Sequence, residues 1–348
     1  MAEFLTNLSL LSNVLIFSLC ALGVWMSGAR LTYLADSLAD RLNLAKSLVG
    51  LLFLSLATSL PEVATTLVAA ARQHPDLVLS NLFGGIALQT AILATADLWA
   101  RGAITNYPRK ANHALEATLL VSILAISLTF LLLEDPVSFG SVGLGSISVA
   151  VSYGAAVWLL RHYDGESDWV PVDLPDVLHE EDVIRLAPAS EASTGFMLFM
   201  SGLACFAILV LGLLLVSSAQ VIAEKSGLGT GFIGVTLLAG ATSLPELTTS
   251  ITAVRMGAYT MAISNIFGSN LIMLVLVFPA DLLYVSGPIM RGVGSTASLA
   301  ICFGIIVTSI YLVGLIVRRK ARVGKMGVDS VLVLAVFAIS LVVYYLAK

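Results

Sequence analysis

The chain has 348 residues, of which 58% are hydrophobic and 11% charged, with a net charge of −4 and a mean hydropathy of +0.97. Soluble domains carry about a quarter charged residues, so a soluble fold is excluded and an all-α polytopic membrane protein is implied. No nucleophile, base and orienting group occur together, which argues against an enzyme, and neither a cofactor nor a nucleic-acid partner is expected.

Apolar windows of the roughly 20 residues that span a bilayer fall first at 10–33, 47–71, 77–98, 113–133 and 140–160. Met1-Ala2-Glu3-Phe4 lacks the basic region of a cleavable signal peptide, so the first window is expected to persist as a span. The second contains Ala57-Thr58-Ser59-Leu60-Pro61-Glu62. There the proline removes a backbone donor, so the carbonyls from Ser55 to Thr58 are expected to lose helical partners. Residues 162–194 read as an acidic, solvated cytoplasmic linker. Its Asp164-Gly165-Glu166-Ser167-Asp168 start departs from a calcium loop at Trp169 and Pro175, where glycine and glutamate are required. Windows resume at 195–222, 230–254, 260–283, 292–317 and 328–346, ten in all.

An offset of 184 residues carries the first motif onto Ala241-Thr242-Ser243-Leu244-Pro245-Glu246 and continues without a gap through Asn81/Asn265, Gly84/Gly268 and Asp97/Asp281. The chain is therefore a duplication, with repeats at 1–161 and 195–348. Five spans per repeat is an odd number, so the repeats are inverted. Lys and Arg concentrate in the connections on one side, including Arg101, Arg109, Lys110, Arg161, Arg318 and Lys325. The positive-inside rule then places both termini outside the cytoplasm, in a plasma (inner) membrane. Cys20, Cys205 and Cys302 read as small core residues, and His74, His113, His162 and His179 as interfacial or solvated.

A lone intramembrane carboxylate normally faces a partner, a cavity or an ion. Glu62 and Glu246, in matched contexts, point to one shared cation site. Ser55, Thr58 and Glu62 follow i, i+3, i+7 spacing along one helical face, as do Ala239, Thr242 and Glu246. Oxygen ligands of this kind suit sodium and calcium. Ser59 and Ser243 adjoin the proline and glutamate. Asn81, Gly85 and Gln89 form a stripe on the third span, matched by Asn265, Ser269 and Met273 on the eighth. The two asparagines serve equally well as interhelical hydrogen-bond glue. Asp97 and Asp281 read as span-end carboxylates or as gate groups.

Gly50 with Ala57–Glu62 and Asn81-Leu82-Phe83-Gly84, repeated as Gly234 with Ala241–Glu246 and Asn265-Ile266-Phe267-Gly268-Ser269-Asn270, resembles the two alpha-repeats of the cation/calcium antiporter superfamily, nearest its prokaryotic sodium/calcium exchangers. The resemblance covers the whole ten-helix plan. It implies alternating access by sliding of the first and sixth helices past a core of helices two, three, seven and eight. It also implies calcium on Glu62 and Glu246 with help from Thr58 and Thr242. Sodium would use the same carboxylates with Ser55, Ala239, Ser59, Ser243, Ser269 and the polar positions of the third and eighth spans. Four positions depart from the family pattern: Gly85-Ile86 replaces Ser-Asn, Gln89 replaces Asn, and Met273 replaces Asp or Asn. The Ser269 pocket is intact and its counterpart depleted, so proton coupling or fewer sodium ions per cycle becomes an alternative. The Met273 thioether raises a manganese-like metal as another substrate. The missing donors also fit a transport-impaired sensor or partner subunit. Inorganic cations and the lipid bilayer are the expected partners, with oligomeric state open.

Overall fold

The computed structural model describes residues 2–108, 111–163, 193–225, 240–318 and 321–346. Its main helices are α1 (Leu10–Arg41), α2 (Lys46–Thr58), α3 (Leu60–Ala71), α4 (Pro75–Ala96), α5 (Asn112–Leu132), α6 (Leu144–His162), α7 (Thr194–Lys225), α8 (Leu244–Arg255), α9 (Tyr259–Val275), α10 (Ser295–Val317) and α11 (Val328–Leu346). Among the described residues eight helices are long and apolar enough to cross a membrane, or nine when α2 and α3 count as one broken span. The expected 230–254 window is described only from residue 240, and the linker expectation and Ala239 lie outside the described residues.

The helices are apolar around most of their circumference, and burial alone shows which stripe of each faces protein. On α1, Val24, Leu31 and Ala35 are buried while Leu11, Leu15 and Leu19 are exposed, so one stripe packs inward and the rest meets lipid. Its start is capped by the Ser9 hydroxyl, which accepts the Ser12 N–H at 3.1 Å. The helix runs past the expected end at 33 because its last turns pack on α7, where Leu34, Leu38 and Met197 cluster. Lys46 then ties the start of α2 to α1 through Asp36 at 2.9 Å.

α4 and α9 are the most buried spans, and α9 touches α2, α4, α5 and α8. α1 and α7 lie against each other on one flank, with α5, α6, α10 and α11 packed around the other sides. Glycine permits the closest approaches. A β-carbon on Gly50 would stand 2.7 Å from the Met261 carbonyl, and one on Gly268 would strike the Leu51 carbonyl, so the backbones of α2 and α9 nearly touch. Gly28 on α1 and Gly212 on α7, again 184 apart, face Thr248 and Pro61 respectively.

The duplication extends to features too short to read from hydropathy. Strand β1 (Ser138–Phe139) pairs with β2 (Val142–Gly143), and β3 (Arg322–Val323) with β4 (Met326–Gly327), in the same antiparallel register at the same offset. Gly140 and Gly324 take the left-handed turn positions, φ +68 and +63. The first hairpin uses residues that the hydropathy window at 140–160 assigns to a span, so α6 starts later, at Leu144. Asp97 accepts N–H groups from Ile104 (2.9 Å) and Gly327 (2.6 Å), and Asp281 from Ile289 (2.7 Å) and Gly143 (2.8 Å). Ser330 and Ser146 add their hydroxyls to the respective carboxylates. Each aspartate thereby clasps the start of a helix in the other half of the chain. Cys20 is buried as expected, whereas Cys205 and Cys302 are only half-buried, Cys205 packing against the main core.

Candidate functional site

Pro61 and Pro245 stand in the first turn of α3 and α8, where a missing N–H leaves no helical bond unmade. The break falls at Ser59, which adopts φ −81 and ψ 2 and bends α3 from α2 by 51°. Ser55, Thr58 and Glu62 therefore do not form one continuous helical face; they converge around a kink. The Ser55 carbonyl also keeps a partner, contrary to the sequence expectation, since Ser59 N–H reaches it at 3.0 Å and the Thr58 hydroxyl at 3.1 Å. The kink changes direction without opening that turn.

Ser243 takes matching backbone angles, φ −90 and ψ 9, just before α8, and a buried carboxylate follows three residues after each of these serines. Glu62 is 1% exposed and Glu246 0%, and they lie close enough for their charges to interact. Neither Glu62 oxygen has a hydrogen-bond partner, nor has Oε2 of Glu246. The Ser59 hydroxyl donates to Glu246 Oε1 at 3.3 Å, and the Thr58 hydroxyl adjoins the same carboxylate. Burying a carboxylate without partners is strongly unfavourable. Glu62 and Glu246 thus bring together three carboxylate oxygens that no protein donor satisfies.

The helices that carry and flank the carboxylates hold further buried oxygens. Ser269 Oγ lies 3.5 Å from Thr58 Oγ1 and 3.5 Å from the Ser55 carbonyl, joining α9 to α2. Asn265 Nδ2 donates to Thr249 Oγ1 at 3.1 Å, leaving its Oδ1 unpaired. Gln89 is wholly buried with neither amide atom paired. Thr242 and Ser243 are buried beside Glu246 in sequence. Ser55 turns its hydroxyl back to the Leu51 carbonyl, and Asn81 is only half-buried. Met273 is buried, its sulfur and methyl packed onto Gly85.

Other groups were less legible. Thr66 and Ser250, one turn beyond each glutamate and 184 apart, are buried with unpaired hydroxyls. Their i+4 spacing from Glu62 and Glu246 is the signal that singles them out. Asn270 Nδ2 reaches Thr90 Oγ1 at 3.4 Å, with Oδ1 unpaired. His113, read as interfacial, is instead buried: its Nδ1 lies 2.9 Å from Glu116 Oε2, and Ser264 donates to Glu116 Oε1 at 2.7 Å. The first turn of α5 packs on α9, and that contact desolvates the histidine. The i, i+3 pairing of His113 with Glu116 inside an apolar window is its sequence sign.

A family model described as sodium/calcium exchanger protein matches residues 12–161 and 196–346. The inner membrane protein YrbG of Escherichia coli (strain K12) is 27% identical over 269 residues, covering 76% of this chain and 77% of the relative. Sodium/calcium exchanger MaX1 of Methanosarcina acetivorans is 36% identical over 80 residues, 23% of each chain. Among solved structures, the sodium-calcium exchanger NCX_Mj soaked with 10 mM Na+ and zero Ca2+ superposes with a TM-score of 0.72 at 17% identity, covering 96% of this chain and 99% of that one.

Proposed function

The chain belongs to the sodium/calcium exchanger family, and we propose that it extrudes calcium in exchange for inward sodium, or protons, by alternating access. The observation that carries this reading is the pair of buried carboxylates, Glu62 and Glu246, with three oxygens left unpaired in the first turns of α3 and α8. Two carboxylates neutralise one divalent ion or two monovalent ones, and leaving both bare in a low-dielectric site is unfavourable. Exchange follows from that competition, because release of one cation is favourable only when another replaces it. Thr58, Ser59, Thr242, Ser243 and Ser269 supply neutral oxygens, with Ser55, Ala239, Asn81, Asn265 and Gln89 as further contributors.

The ten-helix plan in two inverted repeats, with both termini outside a plasma membrane, belongs to this reading. It is supported by the matched offsets of the hairpins and aspartate clasps. α1 and α7 would be the moving pair. They meet the broken helices through Gly28 and Gly212, where small side chains leave a smooth contact. Radioactive calcium uptake into proteoliposomes under an imposed sodium gradient, then a proton gradient, tests the function. Uptake driven by either supports antiport and names the coupling ion. Absence of uptake under both, with manganese also not carried, refutes it in favour of a non-transporting role.

A further inference from the structure

The 184-residue offset that pairs Glu62 with Glu246 also pairs Gly85 with Ser269 and Gln89 with Met273. α4 carries Gly85 and Gln89, α9 carries Ser269 and Met273, and the two helices pack together. A β-carbon on Gly85 would strike the Met273 methyl and stand 3.1 Å from its sulfur, so residue 273 of one repeat covers residue 85 of the other. The repeat relation then makes Gln89 and Ser269 the equivalent pair on the opposite flank of the glutamates. The two flanks differ in chemistry. One offers the Ser269 hydroxyl, itself near Thr58 and the Ser55 carbonyl, and a buried amide with both atoms unpaired. The other offers a glycine, with no side chain at all, filled by a buried thioether.

We propose that Met273 plugs the volume at Gly85 and abolishes one of two symmetry-related cation subsites, so that a monovalent ion beside the glutamates binds only on the Ser269 and Gln89 flank. This rests on the antiport reading above and sets its stoichiometry. Hard monovalent cations need oxygen ligands. The thioether offers none, and in a packed interior its bulk excludes the water that would substitute. Gly85 and Met273 act as a unit, since the space that one lacks is the space that the other fills.

Exchanging the two flanks tests the idea. Gly85→Ser with Met273→Gln copies the oxygen-bearing pair onto the plugged flank, and Ser269→Gly with Gln89→Met copies the plug onto the other. The number of sodium ions bound by purified protein is read from the slope of thermal midpoint against the logarithm of sodium concentration, with choline holding ionic strength constant. The first variant should take up one more sodium than wild type and the second one fewer. Equal sodium numbers in wild type and in either folded variant overturn the proposal, as does a wild type whose midpoint ignores sodium. Should one variant fail to fold, the other still decides. Failure of the antiport reading looks different, because flux in proteoliposomes would then be absent while the difference in sodium number persisted.

Discussion

Glu62→Gln replaces a carboxylate that is fully buried with neither oxygen paired, while keeping its shape. At an effective dielectric of about 20, a unit charge at about 4 Å is worth about 4 kcal/mol. Removing one of two carboxylates beside a divalent ion therefore weakens its binding by at least about a thousandfold, since every 1.4 kcal/mol or so is a factor of ten. The ion-free protein should respond in the opposite sense. An unpaired buried charge is lost, so the thermal midpoint in chelator should hold or rise. Glu246→Gln should give the same loss of transport with a smaller gain in stability, because Glu246 already accepts the Ser59 hydroxyl at 3.3 Å. Radioactive calcium uptake and binding, measured beside thermal midpoints in chelator, separate the two effects. Flux at wild-type level in either variant would refute the shared-site argument. Lost flux together with a lowered midpoint would assign the carboxylate to structure instead.

Gly268→Ala should disrupt the α2 and α9 interface, because its new carbon meets the Leu51 carbonyl, whereas Gly84→Ala meets nothing within 4 Å and should fall within about 1 kcal/mol of wild type; denaturation of both variants checks the contrast. Asp281→Ala strands the Gly143 and Ile289 N–H groups, at about 1–3 kcal/mol for each group left unpaired, and an unchanged thermal midpoint would contradict the clasp. Burial holds the Asp135 carboxyl above its usual 3.8, opposed by the Gly145 N–H and assisted by the charge of Asp281. The folded protein thus binds that proton more tightly than the unfolded chain, so the associated stability is present below the unfolded value and fades as pH rises through the folded one. Asp135→Asn should flatten this part of the midpoint-against-pH profile, and an identical profile would remove Asp135 as its source.

Most of the hydrophobic windows, the 184-residue offset and the burial of both glutamates were legible because each is local or periodic: an apolar run, a fixed spacing, a proline beside a carboxylate. The kink at Ser59 followed from Pro61, but its consequence did not, since the Ser55 carbonyl keeps a bond that only the bent geometry reveals. What could not be read were partnerships across the chain. Asp97 and Gly327 are distant in sequence, and nothing in either segment's composition names the other. His113 looked interfacial by its place near a span end, and became a core residue because α9 covers it. Met273 and Gly85 each read as a lost ligand, and only the packing shows that the two substitutions fit together.

The aspartate clasps are reciprocal: Asp97 holds Gly327 and Asp281 holds Gly143, so each residue's partner is the other repeat's copy of the same position. Reciprocity of this kind is the signature of an isologous interface, the sort that two identical polypeptides form about a two-fold axis. A half-length chain bearing one copy could close the same bonds with a second copy of itself. In such a homodimer any substitution appears twice, on both sides of the axis at once. A plug at one flank would be a plug at both, and the Ser269 hydroxyl would be lost with its partner. Covalent fusion lifts that constraint, because once the copies share a chain each flank answers to its own codons, and an ion site can become lopsided while the scaffold that holds it stays symmetric.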